Sequence, residues 1–206
     1  MNRVLKFLSV ALILAGALVL TVLEIQPVQA QAADPAVAQV QGFYDVLLAS
    51  MKSGGSAKSR YEKLKPAVEK AFDLSAMTAT AVGPTWASVS DADKKALIDA
   101  FSRMTIANYA KSFDSYGGEK FTVEPASIER GSDHFVKSTL KTNNETIAFN
   151  YRTHQVGSDW KVTDVYLAGN ISQMAQKRSD FASTLASGGP QALTKRINAL
   201  ADQMLG

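Results

Sequence analysis

Two rhythms divide this chain. From Asp34 to Phe113 apolar residues recur every three or four positions; from Glu119 to Leu167 they alternate with polar ones; after Gly169 the wider spacing returns. The first period lays a stripe along one side of a helix and the second puts alternate residues on one face of a strand. The order of elements is therefore helices, strands, helices.

Asp34-Pro35 reads as a helix start, a capping side chain followed by proline in the first turn. Val37, Val40, Phe43, Tyr44, Leu47, Leu48 and Met51 carry that helix to Ser53-Gly54-Gly55-Ser56. This loop lacks the GxxxxGK pattern of a phosphate cradle. The spacing predicts a second helix over 58–72, bent or split at Pro66, and a short third over 74–82, closed by Gly83-Pro84 with Trp86 in the loop beyond. Lys58, Arg60, Lys63, Lys65 and Lys70 of the second helix interleave with Glu62 and Glu69, which describes a solvated face or a docking face. Ser90-Asp91-Ala92-Asp93 opens a long helix whose stripe is Leu97, Ile98, Phe101, Met104, Ile106, Tyr109 and Phe113. Gly117-Gly118 is expected to stop it.

Four strands follow, over 120–128, 133–142, 145–155 and 159–167, parted by the hairpin signals Gly131-Ser132, Asn143-Asn144 and Gly157-Ser158. Short turns set the register, and the register sets the faces. Across Asn143-Asn144, Leu140 is expected opposite Ile147, Ser138 opposite Phe149 and Val136 opposite Tyr151; across Gly131-Ser132, Val123 opposite Leu140; across Gly157-Ser158, Tyr166 opposite Phe149. One face then collects Phe121, Val123, Val136, Leu140, Ile147, Phe149, Tyr151, Trp160, Val162 and Tyr166. Lys137, Lys141, Asn150, Arg152, His154, Lys161 and Thr163 take the other. Pro125 suits an edge strand. His134 and His154 fall on opposite faces, which argues against a shared metal site.

Beyond Gly169, Ile171, Met174, Phe181 and Leu185 mark a helix to about 186, broken at Ser187-Gly188-Gly189-Pro190. Leu193, Ile197, Leu200 and Leu205 mark a last one. The fold class is α+β: N-terminal helices, a four-stranded antiparallel meander sheet and C-terminal helices. The apolar sheet face must meet the stripe of the long helix, and periodicity alone describes a packed core and a lined pocket equally well. Asp164 falls on that apolar face, beside Tyr151. A buried carboxylate needs hydrogen bonds, either structural ones to Tyr151 or to the amides that start the helix after Gly169, or one to a ligand head group.

Composition narrows the chemistry. The 206 residues include no cysteine, which removes disulfides, thiol catalysis, thiolate metal sites and a lipid anchor on cysteine. There is no GxSxG, HExxH or GxGxxG and no spaced ligand cluster, so no reaction, cofactor or metal is indicated. Residues 1–30 read as a secretory leader: Arg3 and Lys6, an uncharged apolar run from Phe7 to Leu23, then Val28-Gln29-Ala30 at cleavage spacing. A single domain over 31–206 is expected after its removal, working outside the cytoplasm. With Arg3, Lys6 and Glu24 gone, 20 basic residues face 18 acidic ones, and the resulting +2 argues against nucleic acid.

Several stretches then resemble one family. Val162–Ser172 (VTDVYLAGNIS), Arg178-Ser179-Asp180-Phe181, Gly188-Gly189 and Leu193, with Val82-Gly83-Pro84-Thr85-Trp86 upstream and Phe101 and Tyr109 between, resemble the MlaC-like periplasmic lipid carriers, also called the toluene-tolerance family. Val82 stands where that family often has leucine, and Pro84 is added. The chain looks closer to the hopanoid-associated branch. The resemblance implies a soluble, non-enzymatic carrier that moves a phospholipid or a hopanoid between an inner-membrane ABC-type lipid transport complex and an outer-membrane complex. It implies an apolar pocket between sheet and helices. Its walls on this chain are then Phe101, Met104, Tyr109, Phe113, Phe121, Val123, Val136, Leu140, Ile147, Phe149, Tyr151, Val162 and Tyr166. A periplasmic interaction or scaffold domain is the alternative.

Overall fold

The computed structural model describes residues 34–206; the leader expected over 1–30 lies outside the described residues. Helix α1 (Pro35–Ser53) starts on Asp34, whose carboxylate accepts the amides of Ala36 and Val37, and ends at Gly54. Helix α2 (Ala57–Ala71) runs through Pro66 as one helix, where a bend or split was expected. Its buried stripe of Leu64, Val68 and Ala71 is packed tightly enough to hold it across the missing N–H. Helix α3 (Leu74–Val82) is capped by Asp73 and stopped by Gly83, whose φ of 78° suits glycine. A 3-10 turn over Gly83–Ser88 carries Trp86. Helix α4 (Asp91–Ser112) begins on Ser90 and ends before Phe113, short of the glycine pair expected to stop it.

The sheet has six strands, where four were expected. They are β1 (Lys120–Val123), β2 (Ile128–Arg130), β3 (Asp133–Lys141), β4 (Thr146–Val156), β5 (Asp159–Leu167) and β6 (Ile171–Ser172). All pairs are antiparallel, in the order β1-β3-β4-β5-β6, with β2 also on β3. The first expected strand is two because Pro125 has no N–H to give and the ladder lapses between Val123 and Ile128. Val123 therefore faces Ser138 rather than Leu140, and Phe121 takes Leu140. The slip is of two residues, so Phe121 and Val123 keep the inner face.

The β3–β4 register is the one the turn dictates: Leu140 with Ile147, Ser138 with Phe149, Val136 with Tyr151. The β4–β5 register holds from the turn as far as Thr153–Val162 and then slips by one, with Arg152 opposite Asp164 and Thr163 left over. This β-bulge reverses every later residue of β5. Val165 and Leu167 turn inward, opposite Tyr151 and Phe149. Tyr166 turns outward beside Asn150 and packs on Phe135, correcting its placement on the apolar face.

Helix α5 (Gln173–Leu205) follows β6 and is kinked at Gly189 (φ 70°, ψ −166°), next to Pro190. Its two halves wrap α4, joined by the Phe101–Phe181 edge contact and by Arg103 to Asp202 at 2.6 Å. The helices cover one side of the sheet, where Tyr44 stacks on Phe121 and packs edge-on against Tyr151. The core between the layers includes Leu47, Leu64, Phe72, Leu97, Ile106, Val136, Val162 and Ile197.

Candidate functional site

Between the inner face of β4–β5 and the helices α4 and α5 lies a cavity of about 260 Å³. Phe101, Met104, Tyr109 and Phe113 reach it from α4 at the spacing of one helix face. Phe149 reaches it from β4, Val165 and Leu167 from β5, and Phe72 and Met77 from the α2–α3 corner. Met174 and Met204 close it from the two ends of α5. Five of the expected wall residues (Phe101, Met104, Tyr109, Phe113 and Phe149) thus meet in one place. Phe121, Val123, Val136, Leu140, Ile147, Tyr151 and Val162 share the inner face but lie beside the cavity, and Val136, Tyr151 and Val162 are fully buried in packed core. Tyr166 is on the other side of the sheet. The sequence expectation missed Val165 and Leu167 because the bulge that turns them inward leaves the alternation of residue types intact. It missed Phe72, Met77 and Met204 because residues from corners and helix ends belong to no stripe.

The cavity floor rests on a cluster of tyrosines. Tyr44 and Ser138 share a 2.7 Å hydrogen bond, and the Ser138 hydroxyl donates onward to the Phe149 carbonyl. Tyr151 packs edge-on against Tyr44, with ring centroids 5.7 Å apart, and Tyr109 stands close to both. Burial raises the Tyr44 hydroxyl to about 12, an effect that its polar neighbours only partly offset. Burial likewise raises Tyr109 and Tyr151, and the nearness of Tyr44 adds to both. The three rings stay neutral, so the floor carries no charge toward the cavity.

Asp164 does not sit beside Tyr151. Its carboxylate accepts the amides of Val165 and Met174 at 2.8 and 3.1 Å and the Ser172 hydroxyl at 2.5 Å. One amide that starts the helix after Gly169, that of Met174, is therefore among its partners. Ser172 in turn caps α5 through the Ala175 amide. The VTDVYLAGNIS stretch thus places the first turn of α5, and with it Met174, over the cavity.

The other stretches quoted for the resemblance are also joints. Arg178 donates to the Thr80 carbonyl at 3.0 Å, and its Nε and Cδ lie 3.3 and 3.4 Å from where a Cβ on Gly83 would stand. That close contact and the positive φ of Gly83 together favour glycine there. A surface groove of about 710 Å³ runs past this joint between the 3-10 turn and α5, and another of about 440 Å³ lies between α1 and α2 under Lys63 and Lys70. Neither is walled by the sheet.

The two histidines have separate partners. His154 meets Asp73 at 2.9 Å. His134 Nδ1 meets Ser127 Oγ at 2.7 Å, and that hydroxyl donates to Asp34 at 2.6 Å. Serine, histidine and aspartate meet here, but the serine proton is given to the carboxylate, so His134 must donate to Ser127 and is no base toward it. The group ties β2 to the start of α1. Among the described residues no cluster of side chains is arranged to hold a metal ion.

Comparison with known proteins bears on this architecture. The MlaC protein family matches residues 39–199. A solved structure from Ralstonia solanacearum, a phospholipid-binding protein in complex with a phospholipid, superposes with a TM-score of 0.73 at 22% identity, covering 84% of this chain and 100% of that one. At that identity the likeness is one of fold. No curated protein matches the chain. The family match extends over well more than half of the sequence, and the chain belongs to the MlaC protein family.

Proposed function

We propose that this protein is a non-enzymatic lipid-binding carrier that holds the tails of a phospholipid or a hopanoid in the cavity between β4–β5 and α4–α5. The observation that carries the reading is that cavity, walled by aromatic and methionine side chains in a fold that also houses a phospholipid in the Ralstonia protein. A methylene buried from water is worth about 0.8 kcal/mol, so a lipid with some thirty of them faces a barrier on the order of 20 kcal/mol to crossing water alone. Covering the tails removes most of that barrier without making or breaking a bond. At about 260 Å³ the cavity is at the lower edge of the roughly 300–1,000 Å³ usual for ligand sites, so loading two full tails requires its walls to part. Methionines suit such a wall, since their unbranched side chains repack at little cost.

In this reading residues 1–30 are a cleaved leader and the carrier works in the periplasm. It moves lipid between an inner-membrane ABC-type transport complex and an outer-membrane complex, and it belongs to the hopanoid-associated branch. The test is transfer of a fluorescent lipid between donor and acceptor vesicles. The rate should rise in proportion to protein concentration; a rate fixed at the spontaneous value contradicts the carrier role.

A further inference from the structure

The groove of about 440 Å³ between α1 and α2 is lined by two residues that helices normally avoid. Gly42 stands in the middle of α1 and Pro66 inside α2, and each weakens a helix relative to alanine. The fold does not call for the glycine. Its backbone is helical, without a positive φ, and a Cβ there would meet nothing within 4 Å. One turn further along α1, Val46 also lines the groove and is 38% exposed. Local rules broken without a reason inside the chain point to a role outside it.

The α2 side of this groove is charged. Lys63 and Lys70 both line it and both are exposed. Seven residues apart, they stand two turns and about 10 Å from each other on one side of α2. The lining contains no carboxylate, and among the described residues neither lysine has an ion-pair partner. Lys63 reaches the Ser53 hydroxyl at 2.7 Å, a neutral acceptor. Glu62 and Glu69 lie on the adjoining side of α2, outside the lining. A flat anionic surface such as a bilayer would press on those carboxylates as well as on the lysines, and it would bridge the concavity without filling it. A rod laid in the groove meets the lysines and leaves the glutamates in water.

We infer that the groove between α1 and α2 docks an acidic amphipathic helix of a partner protein, with its apolar side over Gly42 and Val46 and carboxylates two turns apart on Lys63 and Lys70. Two neighbouring helices present a furrow in which a third can lie. Gly42 lets the visiting backbone come close. Carboxylates seven residues apart on that helix repeat the spacing of the two lysines. The apolar contact supplies affinity, and the two ion pairs set register and choice of partner. This surface shares no residue with the cavity between β4–β5 and α4–α5, so the inference stands whether or not that cavity holds lipid.

The test follows the full chain by fluorescence anisotropy as it binds a labelled, stapled helical peptide of about 18 residues, with a leucine and alanine face and two glutamates seven positions apart. Binding should saturate and weaken in salt. It should fall about tenfold when the glutamates become glutamines, and by the same factor when Lys63→Gln and Lys70→Gln are combined. Gly42→Leu should abolish binding yet melt no lower than wild type, because its side chain enters open space. Should that variant misfold, Gly42→Ala gives the same reading through a higher melting temperature and weaker binding. No saturable binding, binding indifferent to the glutamates, or binding that survives Gly42→Leu overturns the inference. Attachment to phosphatidylglycerol vesicles that needs Lys63 and Lys70 and survives Gly42→Leu would assign the face to a membrane and overturn it as well. Self-association in sedimentation that is lost in Gly42→Leu would assign the groove to a second copy, with the same consequence.

Discussion

Arg152 of β4 stands opposite Asp164 of β5, one residue out of step with the Thr153–Val162 pair beside it. That offset does two things at once. It swings Val165 and Leu167 into the cavity, and it aims the Asp164 carboxylate at the Met174 amide in the first turn of α5. The bulge therefore shapes the wall and fastens the helix that closes it.

Asp164→Ala should cost about 2–3 kcal/mol, because it leaves the buried Met174 amide and the Ser172 hydroxyl without their charged acceptor. Ser172→Ala, which removes one cap, should cost about 1 kcal/mol. Urea denaturation of the two variants checks the order. Equal costs would mean that Asp164 does not anchor α5.

Phe149 and Tyr151 are neighbours on the inner face of β4 with different duties. Phe149 is half-buried at the cavity, whereas Tyr151 is 1% exposed within the tyrosine cluster. Phe149→Asp should lower bound lipid at least about tenfold for a stability loss of roughly 1–3 kcal/mol. Tyr151→Phe should cost about 1 kcal/mol and leave lipid content unchanged. Lipid extraction and melting curves on both variants separate the roles.

Asp34 sets an acid limit. Burial opposes its ionisation, but the hydroxyl and amide of Ser127 and the amides of Val37 and Ala36 prevail and hold its carboxyl below the usual range. A carboxyl depressed in the folded state stabilises fully above its unfolded value and loses that contribution as pH falls through the folded one. The urea midpoint should therefore drop below about pH 4, and Asp34→Asn should differ from wild type at neutral pH but converge with it in acid. A gap independent of pH would refute this.

The tyrosine cluster sets an alkaline limit. With Tyr44 raised to about 12 and Tyr109 and Tyr151 raised by burial, the unfolded chain ionises first above about pH 10. Stability is then lost as pH rises between the unfolded and folded values. Of the six tyrosines, these three should resist titration at 295 nm until the protein unfolds. Smooth titration of all six in the folded protein would show the cluster to be wet.

The sequence made much of this legible, for definite reasons. Alternation in β3 and β4, with Asn143-Asn144 between them, is enough to set Val136 against Tyr151 and Ser138 against Phe149. The helical stripe alone brings Phe101, Met104, Tyr109 and Phe113 to one wall. What stayed hidden was decided by single residues acting on hydrogen-bond ladders. Thr163 is one residue too many opposite Arg152, and β-forming residues on either side mask it. Pro125 was readable as an edge residue, yet its splitting of the strand into β1 and β2 depends on how the chain loops out around it. Whether the layers pack or part depends on side-chain volumes summed over five elements, which no periodicity encodes.

The central claim is that the cavity holds lipid, and native mass spectrometry of the purified protein tests it most directly, followed by solvent extraction and identification of what is released. The account predicts one stoichiometric lipid per chain, displaced in Phe149→Asp. A protein that stays at its bare mass, even after incubation with vesicles of phospholipids and of hopanoids, would contradict it.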